Sequence, residues 1–412
     1  MRVLSWLGNT KILSPEVYSV IQLHVNNEPL LPNLTALNFW DIKEPLIPFI
    51  FLFLSPTITS ISFGPLFSQF PKSVIASLIV NLPKSCPNLQ DITLQYLPRD
   101  PMITAAASKM FFATNRNSLR RFHVECPLTE EATEAIYKSQ NLQGLSVVIE
   151  KGTPIPSASL PNLTRLQIEC EDWSDGLRLL RGTTSEKLES IDFTIKSSLT
   201  DDFLEEFKGV ALHLSIQDTL SDIRVFTVRS WNPNYSSLLP FTRLARLKIL
   251  SPCDDDCSGV DDDVLIDLSR AMPNLQELRL TLSPCSQLTG GATAKGLVAL
   301  ARNCPNLSSL CVHFQAASLA DPPAGLETTR EAGYSASWTG CTLRELDAGF
   351  IPVPEGSASM IALTLLRIFP RIETIEFWDD GWREVADMIC RSKKIVDCSG
   401  AYHHLAISQN PC

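Results

Sequence analysis

The sequence lacks long apolar runs and is poor in charged residues. Its most apolar stretch, residues 46–54, is nine residues long and contains Pro48, whereas about 20 apolar residues are needed to span a bilayer. Charged residues make up 19% of the 412 residues and the net charge is −10, which disfavours nucleic acid and membrane surfaces as partners. The 44% share of hydrophobic residues argues against disorder, because such a chain can bury a large core.

The chain also lacks the signals of a secreted protein. No charged segment leads into an apolar run near the N-terminus, so no signal peptide is predicted and the expected location is the cytoplasm or the nucleus. The twelve cysteines are too sparse for a disulfide scaffold. Most of them are therefore interpreted as small buried hydrophobic residues.

Motifs that carry catalytic chemistry are absent as well. There is no Gly-x-x-x-x-Gly-Lys-Ser/Thr loop, no His-Glu-x-x-His and no Gly-x-Ser-x-Gly, which excludes the common phosphate, zinc and nucleophile motifs. Cys253 and Cys257 lack a second ligand pair at zinc spacing, so a flexible acidic loop is favoured over a metal site. The pair His403–His404 is interpreted as part of a solvated tail. We expect a protein that is not an enzyme and holds neither a metal nor a cofactor.

A short phrase recurs along the chain. The tripeptide Pro-Asn-Leu occurs five times, and each copy opens the pattern Leu-x-x-apolar-x-apolar. Weaker copies extend the series to 13 units, whose first apolar residues are Leu34, Ile58, Leu89, Leu119, Leu142, Leu163, Leu188, Ile223, Leu244, Leu275, Leu307, Leu343 and Ile372. These positions lie about 28 residues apart, a period typical of solenoid repeats. The assignments of Ile223 and Leu343 rest on the weakest patterns.

Each phrase predicts a short strand, because apolar residues at its fourth and sixth places point to the same face. Helix-like segments lie between the phrases: 73–81, 105–114, 130–139, 174–181, 201–207, 262–271, 293–303, 357–369 and 382–391. Asp262 and Ser357 are plausible N-caps. One strand and one helix bury their apolar faces only by stacking on neighbouring units.

The predicted fold class is therefore α/β, a leucine-rich-repeat solenoid (horseshoe) with a parallel concave sheet and convex helices. TIM barrels and doubly wound sheets also alternate strands with helices, but they lack a repeated strand-entry phrase and are the less favoured alternatives.

The predicted organisation has three parts. Residues 1–33 form a partial first repeat or cap, with a helix over 14–25 and a possible strand in the opening MRVLSWL. Residues 34–398 form an array of about 13 units. Polar inserts at 251–263 and 315–341 are interpreted as surface loops. Residues 399–412 form a C-terminal tail.

The phrases LLPNLTALNFWDI, SCPNLQDITLQYL and AMPNLQELRLTL resemble the repeat region of fungal F-box/leucine-rich-repeat proteins. The resemblance implies a substrate-recognition region of an SCF-type ubiquitin ligase, active in ubiquitin-dependent protein degradation. In that family a separate N-terminal F-box binds a Skp-type adaptor. Only 33 residues precede the first phrase here, which is too few for an F-box, so the adaptor is an expected partner only if an F-box is encoded upstream. The alternative is a stand-alone scaffold or inhibitor with no ubiquitin link.

The strand assignment also predicts a binding surface. Side chains at the third, fifth and seventh places of each phrase point to the concave face, where we expect a protein substrate or partner to bind. The candidate residues are Arg121, His123, Arg165, Glu169, Arg229, Arg246, Lys248, Arg279, Glu345, Asp347, Glu376 and Trp378. A basic central patch between Arg229 and Arg279, acidic residues nearer the C-terminus and Trp378 as an anchor would suit an extended, charged partner. An ordinary solvated face is the alternative.

Overall fold

The structure is a computed structural model. The chain forms two compact units, Met1–Arg229 and Ser230–Cys412. The described residues are 2–6, 15–24, 28–40, 44–64, 71–95, 97–114, 118–152, 160–200, 202–229, 231, 233–252, 260–282, 291–321, 340–349, 351–377 and 379–392. The predicted C-terminal tail lies outside them.

In the first unit, short strands pair in parallel and in sequence order, and helices alternate with them. The strands are β1 (Val3–Trp6), β2 (Ala36–Phe39), β3 (Ser60–Phe63), β4 (Asp91–Leu94), β5 (Arg121–Val124), β6 (Gly144–Ile149), β7 (Arg165–Cys170), β8 (Ser190–Ile195) and β9 (Asp222–Thr227). The helices are α1 (Pro15–His24), the 3-10 segment Glu44–Phe53, α2 (Lys72–Ser85), α3 (Pro101–Ala113), α4 (Glu130–Tyr137), α5 (Trp173–Gly182) and α6 (Asp202–His213).

The second unit repeats this arrangement. Its strands are β10 (Arg246–Ser251), β11 (Glu277–Leu282), β12 (Ser309–Val312), β13 (Glu345–Gly349) and β14 (Thr374–Phe377). Its helices are the 3-10 segment Tyr235–Leu238, α7 (Asp262–Ala271), α8 (Ala294–Asn303), α9 (Ala316–Ala320), α10 (Ala358–Ile368) and α11 (Gly381–Ser392). The predicted α/β leucine-rich-repeat fold is thus confirmed in each unit.

The core follows from the phrase. Parallel pairing sets equivalent places of successive phrases side by side, so that Leu37 lies beside Ile61 and Ile61 beside Ile92. All three residues are at most 1% exposed. The first apolar residue of every predicted unit is equally buried. Stacking of repeats therefore removes from water the apolar side chains that a single unit would expose.

The turn before each strand explains the Pro-Asn-Leu lead-in. The backbone N–H of the leucine donates to the carbonyl three residues earlier, as in Leu34 to Leu31 at 3.0 Å and Leu163 to Leu160 at 3.2 Å. The Asn88 side-chain amide then donates to the Pro56 carbonyl in the turn of the preceding unit, at 2.9 Å. Three units further along the chain, the Asn162 amide donates in the same way to the Gln140 carbonyl of the preceding unit, at 2.9 Å. The asparagine thus joins adjacent repeats.

Threonine replaces asparagine in weaker copies of the phrase. The Thr57 hydroxyl donates to the Pro32 carbonyl at 2.7 Å, and the Thr342 hydroxyl donates to the Pro305 carbonyl at 3.2 Å. Both hydroxyls reach the place in the preceding turn that Asn88 reaches from its own unit. A threonine hydroxyl can therefore make the contact that the asparagine amide makes in other units.

The unit assigned to Ile223 corrects the sequence analysis. Ile223 pairs with Ile191, which is the fourth place of the phrase that begins at Leu188. The phrase therefore begins at Leu220, three residues earlier than predicted, and Leu220 is fully buried. The error arose because both residues are apolar and no Pro-Asn precedes either one. The other doubtful unit is correctly assigned, since Leu346, three residues after Leu343, pairs with Leu310.

Helix starts and inserts also differ in detail. The N-cap of α7 is Asp261, whose carboxylate accepts from the Val264 N–H at 2.9 Å, and not Asp262. Ser357 occupies the N-cap position of α10, but its hydroxyl donates to the Pro354 carbonyl and does not cap the helix. The ends of both predicted inserts belong to regular elements, because α7 begins within the first and α9 within the second. Residues 253–259 and 322–339 lie outside the described residues.

Candidate functional site

Alternate strand side chains point away from the buried core in each unit. Strand β7 shows the pattern, since Leu166 and Ile168 are buried while Arg165 is exposed and Gln167 is half-buried. We call the surface formed by these outward residues the sheet face of that unit. Parallel sheets normally have both faces covered. Polar and partly exposed side chains on one face of such a sheet therefore indicate a candidate binding surface.

On the first unit's sheet face, Arg121 pairs with the residue directly opposite it. Its guanidinium donates two hydrogen bonds to the Asp91 carboxylate, at 2.8 and 2.7 Å. The pKa of Arg121 is raised, mainly by the hydrogen bond to Asp91. On the same strand, the His123 ring lies 3.0 Å from the Glu125 carboxylate. The charges of Arg121 and Asp91 are thus paired with each other within the face.

Glu169 of β7 forms ion pairs with two cationic side chains. Lys196 lies 2.6 Å from its carboxylate, and Arg99, from the segment after β4, also forms an ion pair with it. Arg165 lies on the same strand as Glu169 and is exposed. In this part of the face too, charges of opposite sign are interleaved.

The register of β9 places Arg229 differently from the sequence prediction. The register that begins at Leu220 puts Arg224, Phe226 and Val228 on the sheet face, whereas Arg229 lies beyond the strand and outside that alternating row. Arg224 pairs with the buried Asp222 at 3.0 Å. Phe226 and Val228 are 43% and 46% exposed. Arg229 is exposed but does not belong to the predicted basic row.

The second unit's sheet face begins with a basic group on β10 and β11. Arg246 lies opposite Glu277, and Lys248 lies opposite Arg279. Glu277 accepts from both Lys248 at 2.8 Å and Arg279 at 2.9 Å. Burial acts to raise the pKa of Glu277, but the hydrogen bond and charge of Lys248, joined by Arg279, lower it overall. We call Arg246, Lys248, Arg279 and Glu277 the basic lobe, which carries three positive charges and one negative charge.

Strands β13 and β14 carry the opposite charge. Glu345 and Glu376 are exposed and Asp347 is half-buried. Asp347 lies directly opposite Glu376, and its carboxylate accepts from the Gly349 N–H at 3.0 Å. Within the described residues none of the three carboxylates forms an ion pair. We call Glu345, Asp347 and Glu376 the acidic lobe. The predicted anchor, Trp378, lies outside the described residues.

Strand β12 separates the two lobes with uncharged residues. Ser309 lies between Glu277 and Glu345, and Cys311 lies between Arg279 and Asp347. A shallow depression of about 520 Å³ borders this strip, and its lining comprises Ser308, Thr342, Arg344 and Glu345. The second unit's sheet face therefore changes sign from one strand pair to the next, across a neutral strand.

Six of the seven described cysteines carry buried free thiols that are unsuited to nucleophilic chemistry, and the seventh, Cys390, is disulfide-bonded. Cys86, Cys126, Cys170, Cys304, Cys311 and Cys341 are buried. Burial raises the pKa of Cys126 to about 12 and that of Cys170 to about 12, so both thiols stay protonated at neutral pH. No group of three or more His, Cys, Asp or Glu side chains with metal-binding geometry occurs among the described residues. Cys253, Cys257 and the His403–His404 pair lie outside them. No described helix is both long and apolar enough to cross a membrane.

Sequence reasoning missed several residues of these faces. Glu277 occupies the third place of its phrase, so the rule that selected Arg279 also selects it. Asp91 is found by the same rule. Arg99 carries no such signal, because it lies in a connecting segment and reaches Glu169 from 70 residues away. Asp222 and Arg224 were missed because the phrase of β9 was placed three residues late.

Comparisons with known proteins give limited information. No protein-family model matches the chain, and no curated protein matches it. Among solved structures, the chain is similar to one titled as the complex of Rad7 and Elc1 in yeast, with 14% identity, 89% of this chain and 84% of that chain covered, and a TM-score of 0.48. It is also similar to the leucine-rich-repeat-containing protein LegL7 from Legionella pneumophila, with 10% identity, coverage of 93% and 97%, and a TM-score of 0.27.

Proposed function

We propose that this chain is a non-catalytic protein-binding module that engages a protein partner on its sheet faces. The observation that carries the proposal is the partial exposure of charged outward residues on a parallel sheet, shared by Arg121, Arg165, Arg246, Glu345 and Glu376. A parallel sheet face with exposed charged residues is an expected place for a macromolecular contact. Charged residues on such a face give specificity and fast association.

The experiment that tests this proposal is site-specific photo-cross-linking in cells. A photoreactive phenylalanine analogue replaces Thr374, an exposed outward residue of β14, in a tagged full-length chain. A matched control carries the analogue at Lys295, an exposed residue on α8. We expect a discrete cross-linked protein at Thr374 and none at Lys295. Cross-links confined to Lys295, or a partner that co-purifies without any cross-link at Thr374, would contradict binding on the sheet face.

The finer proposal is that the partner is a substrate of an SCF-type ubiquitin ligase. Its support is the resemblance of the repeat phrases to those of F-box/leucine-rich-repeat proteins. The test is co-purification of the chain as encoded in its genome with a Skp-type adaptor, together with the half-life of the cross-linked partner. Adaptor recovery and a longer partner half-life on deletion support a substrate receptor. A cross-linked partner with an unchanged half-life and no adaptor supports the alternative, a stand-alone scaffold or inhibitor.

A further inference from the structure

We infer that the second unit's sheet face binds an extended polypeptide segment that crosses the strands, with acidic residues at one end over the basic lobe and basic residues at the other over the acidic lobe. The inference rests on the proposed function and names the chemistry of its partner. It follows from three features of the face, namely the separation of charges, their placement side by side and the distance between the lobes.

The separation of charges is specific to this face. On the first unit's sheet face, opposite charges meet locally, as in Arg121 with Asp91, Glu169 with Lys196 and Arg224 with Asp222. On the second unit's face, Lys248 and Arg279 of the basic lobe share the carboxylate of Glu277, and the acidic lobe holds three carboxylates. The second face therefore presents a positive and a negative end to any partner.

Like charges lie directly opposite each other within both lobes. Lys248 faces Arg279 across β10 and β11, and Asp347 faces Glu376 across β13 and β14. Such pairs destabilise a sheet, whereas opposite charges in the same places stabilise it. Glu277 relieves the repulsion only within the basic lobe. A partner that brings acidic groups to one lobe and basic groups to the other removes a repulsion that the isolated chain retains.

The distance between the lobes fixes the direction and length of the partner. The excess charge changes sign between the pair β10–β11 and the pair β13–β14, so a segment must cross the strands to meet both lobes. Four strand steps separate Arg246 on β10 from Glu376 on β14, or about 19 Å at the usual strand spacing. An extended chain covers that distance in about six residues. The neutral middle of the segment crosses β12, where the outward residues Ser309 and Cys311 are uncharged and buried.

Two synthetic peptides of identical composition test the inference by fluorescence anisotropy with the purified full-length chain. The segregated peptide is fluorescein-Gly-Glu-Glu-Gly-Ser-Lys-Lys, and the interleaved peptide is fluorescein-Gly-Glu-Lys-Gly-Ser-Glu-Lys. We expect the segregated peptide to bind about tenfold more tightly at low salt, and this preference to shrink as added salt screens the charges. Equal affinity for the two peptides, or tighter binding of the interleaved one, would overturn the inference.

Charge-reversed variants locate the binding and control for unfolding. Reversal of the basic lobe by Arg246→Glu and Lys248→Glu should weaken binding of the segregated peptide about tenfold, whereas Lys295→Glu on helix α8, away from the sheet face, should leave it unchanged. Adding Glu345→Lys and Glu376→Lys to the reversed basic lobe should restore the affinity, because the segment can then lie in the opposite direction. Loss without restoration in a folded protein, or equal weakening by Lys295→Glu, would contradict the inference. Cross-linking at Thr374 that persists in either case would leave the proposed protein binding intact.

Discussion

Replacement of Asp262 by alanine should weaken the junction between two repeats of the second unit. One oxygen of the Asp262 carboxylate accepts from the backbone N–H groups of Thr293 at 2.7 Å and Gly296 at 2.9 Å. The other accepts from the Thr293 hydroxyl at 2.6 Å. The Asp262 carboxylate of α7 thus satisfies two backbone N–H groups at the start of α8, where amide groups have no carbonyl partner within their own helix. A negative charge at this end also interacts favourably with the helix dipole.

The magnitude follows from these contacts. Hydrogen bonds to a charged group contribute about 1.5–3 kcal/mol each when buried, but Asp262 is half-buried and water can replace part of what is lost. We therefore expect Asp262→Ala to lower the free energy of unfolding of this region by about 2–4 kcal/mol. The matched control is Asp263→Ala, since that neighbouring carboxylate is exposed and lies 3.9 Å from Lys295. Its cost should stay below about 0.5 kcal/mol.

Hydrogen exchange of the α8 amides is the assay, because repeat proteins can open locally and need not unfold in one step. Exchange at Gly296 should accelerate in Asp262→Ala and stay unchanged in Asp263→Ala. Gly296 offers an internal check, because a Cβ at this residue would lie 2.7 Å from the Asp262 carboxylate. Gly296→Ala should therefore destabilise the native chain more than it destabilises the Asp262→Ala variant. Equal exchange in the two aspartate variants would refute the reasoning.

Three further predictions concern other contacts. Trp382 is fully buried and its indole N–H donates to the Ile351 carbonyl at 2.7 Å. Trp382→Phe should lower the free energy of unfolding by about 1–3 kcal/mol because the carbonyl loses its donor, and Trp382→Ala should lower it by about 3–5 kcal/mol. Equal losses for the two variants in thermal unfolding would contradict this prediction. Asn88→Ala should lower the free energy of unfolding, measured in urea, by about 0.5–1.5 kcal/mol, and Asn88→Thr should retain most of the native stability. No loss of stability in Asn88→Ala would contradict the role of the amide contact to Pro56. The pKa of Glu277 is lowered by Lys248 and Arg279, so its stabilising contribution is present above the ordinary glutamate pKa and is lost as the pH falls through the lowered value. Glu277→Gln should flatten that part of the stability profile in acid, and an unchanged profile would contradict the ion-pair interpretation.

The fold could be predicted from the sequence because the repeat constrains itself. A buried residue such as Leu89 is fixed by a local phrase, and its neighbours in space are the same place in the adjacent phrases. The prediction was wrong where the Pro-Asn lead-in of the phrase is absent. Leu220 and Ile223 both fit the apolar pattern, and only the pairing of Ile223 with Ile191 distinguishes them. Likewise, Asp261 and Asp262 both fit an N-cap, and a contact with Thr293 in the next repeat separates their roles.

The candidate site could be predicted only in part, because charge on a sheet face is a property of neighbours that lie about 30 residues apart in the chain. The alternation along β10 indicates that Lys248 points outward, but only the register shows that it lies opposite Arg279 and within reach of Glu277. An expected basic patch thereby becomes a lobe in which one carboxylate holds two cations together. The acidic lobe depends on the register in the same way, since Asp347 and Glu376 become neighbours only when β13 and β14 pair. Because the repulsion in this pair lies on the surface that a partner would cover, the peptide experiments measure the feature that the sequence alone does not contain.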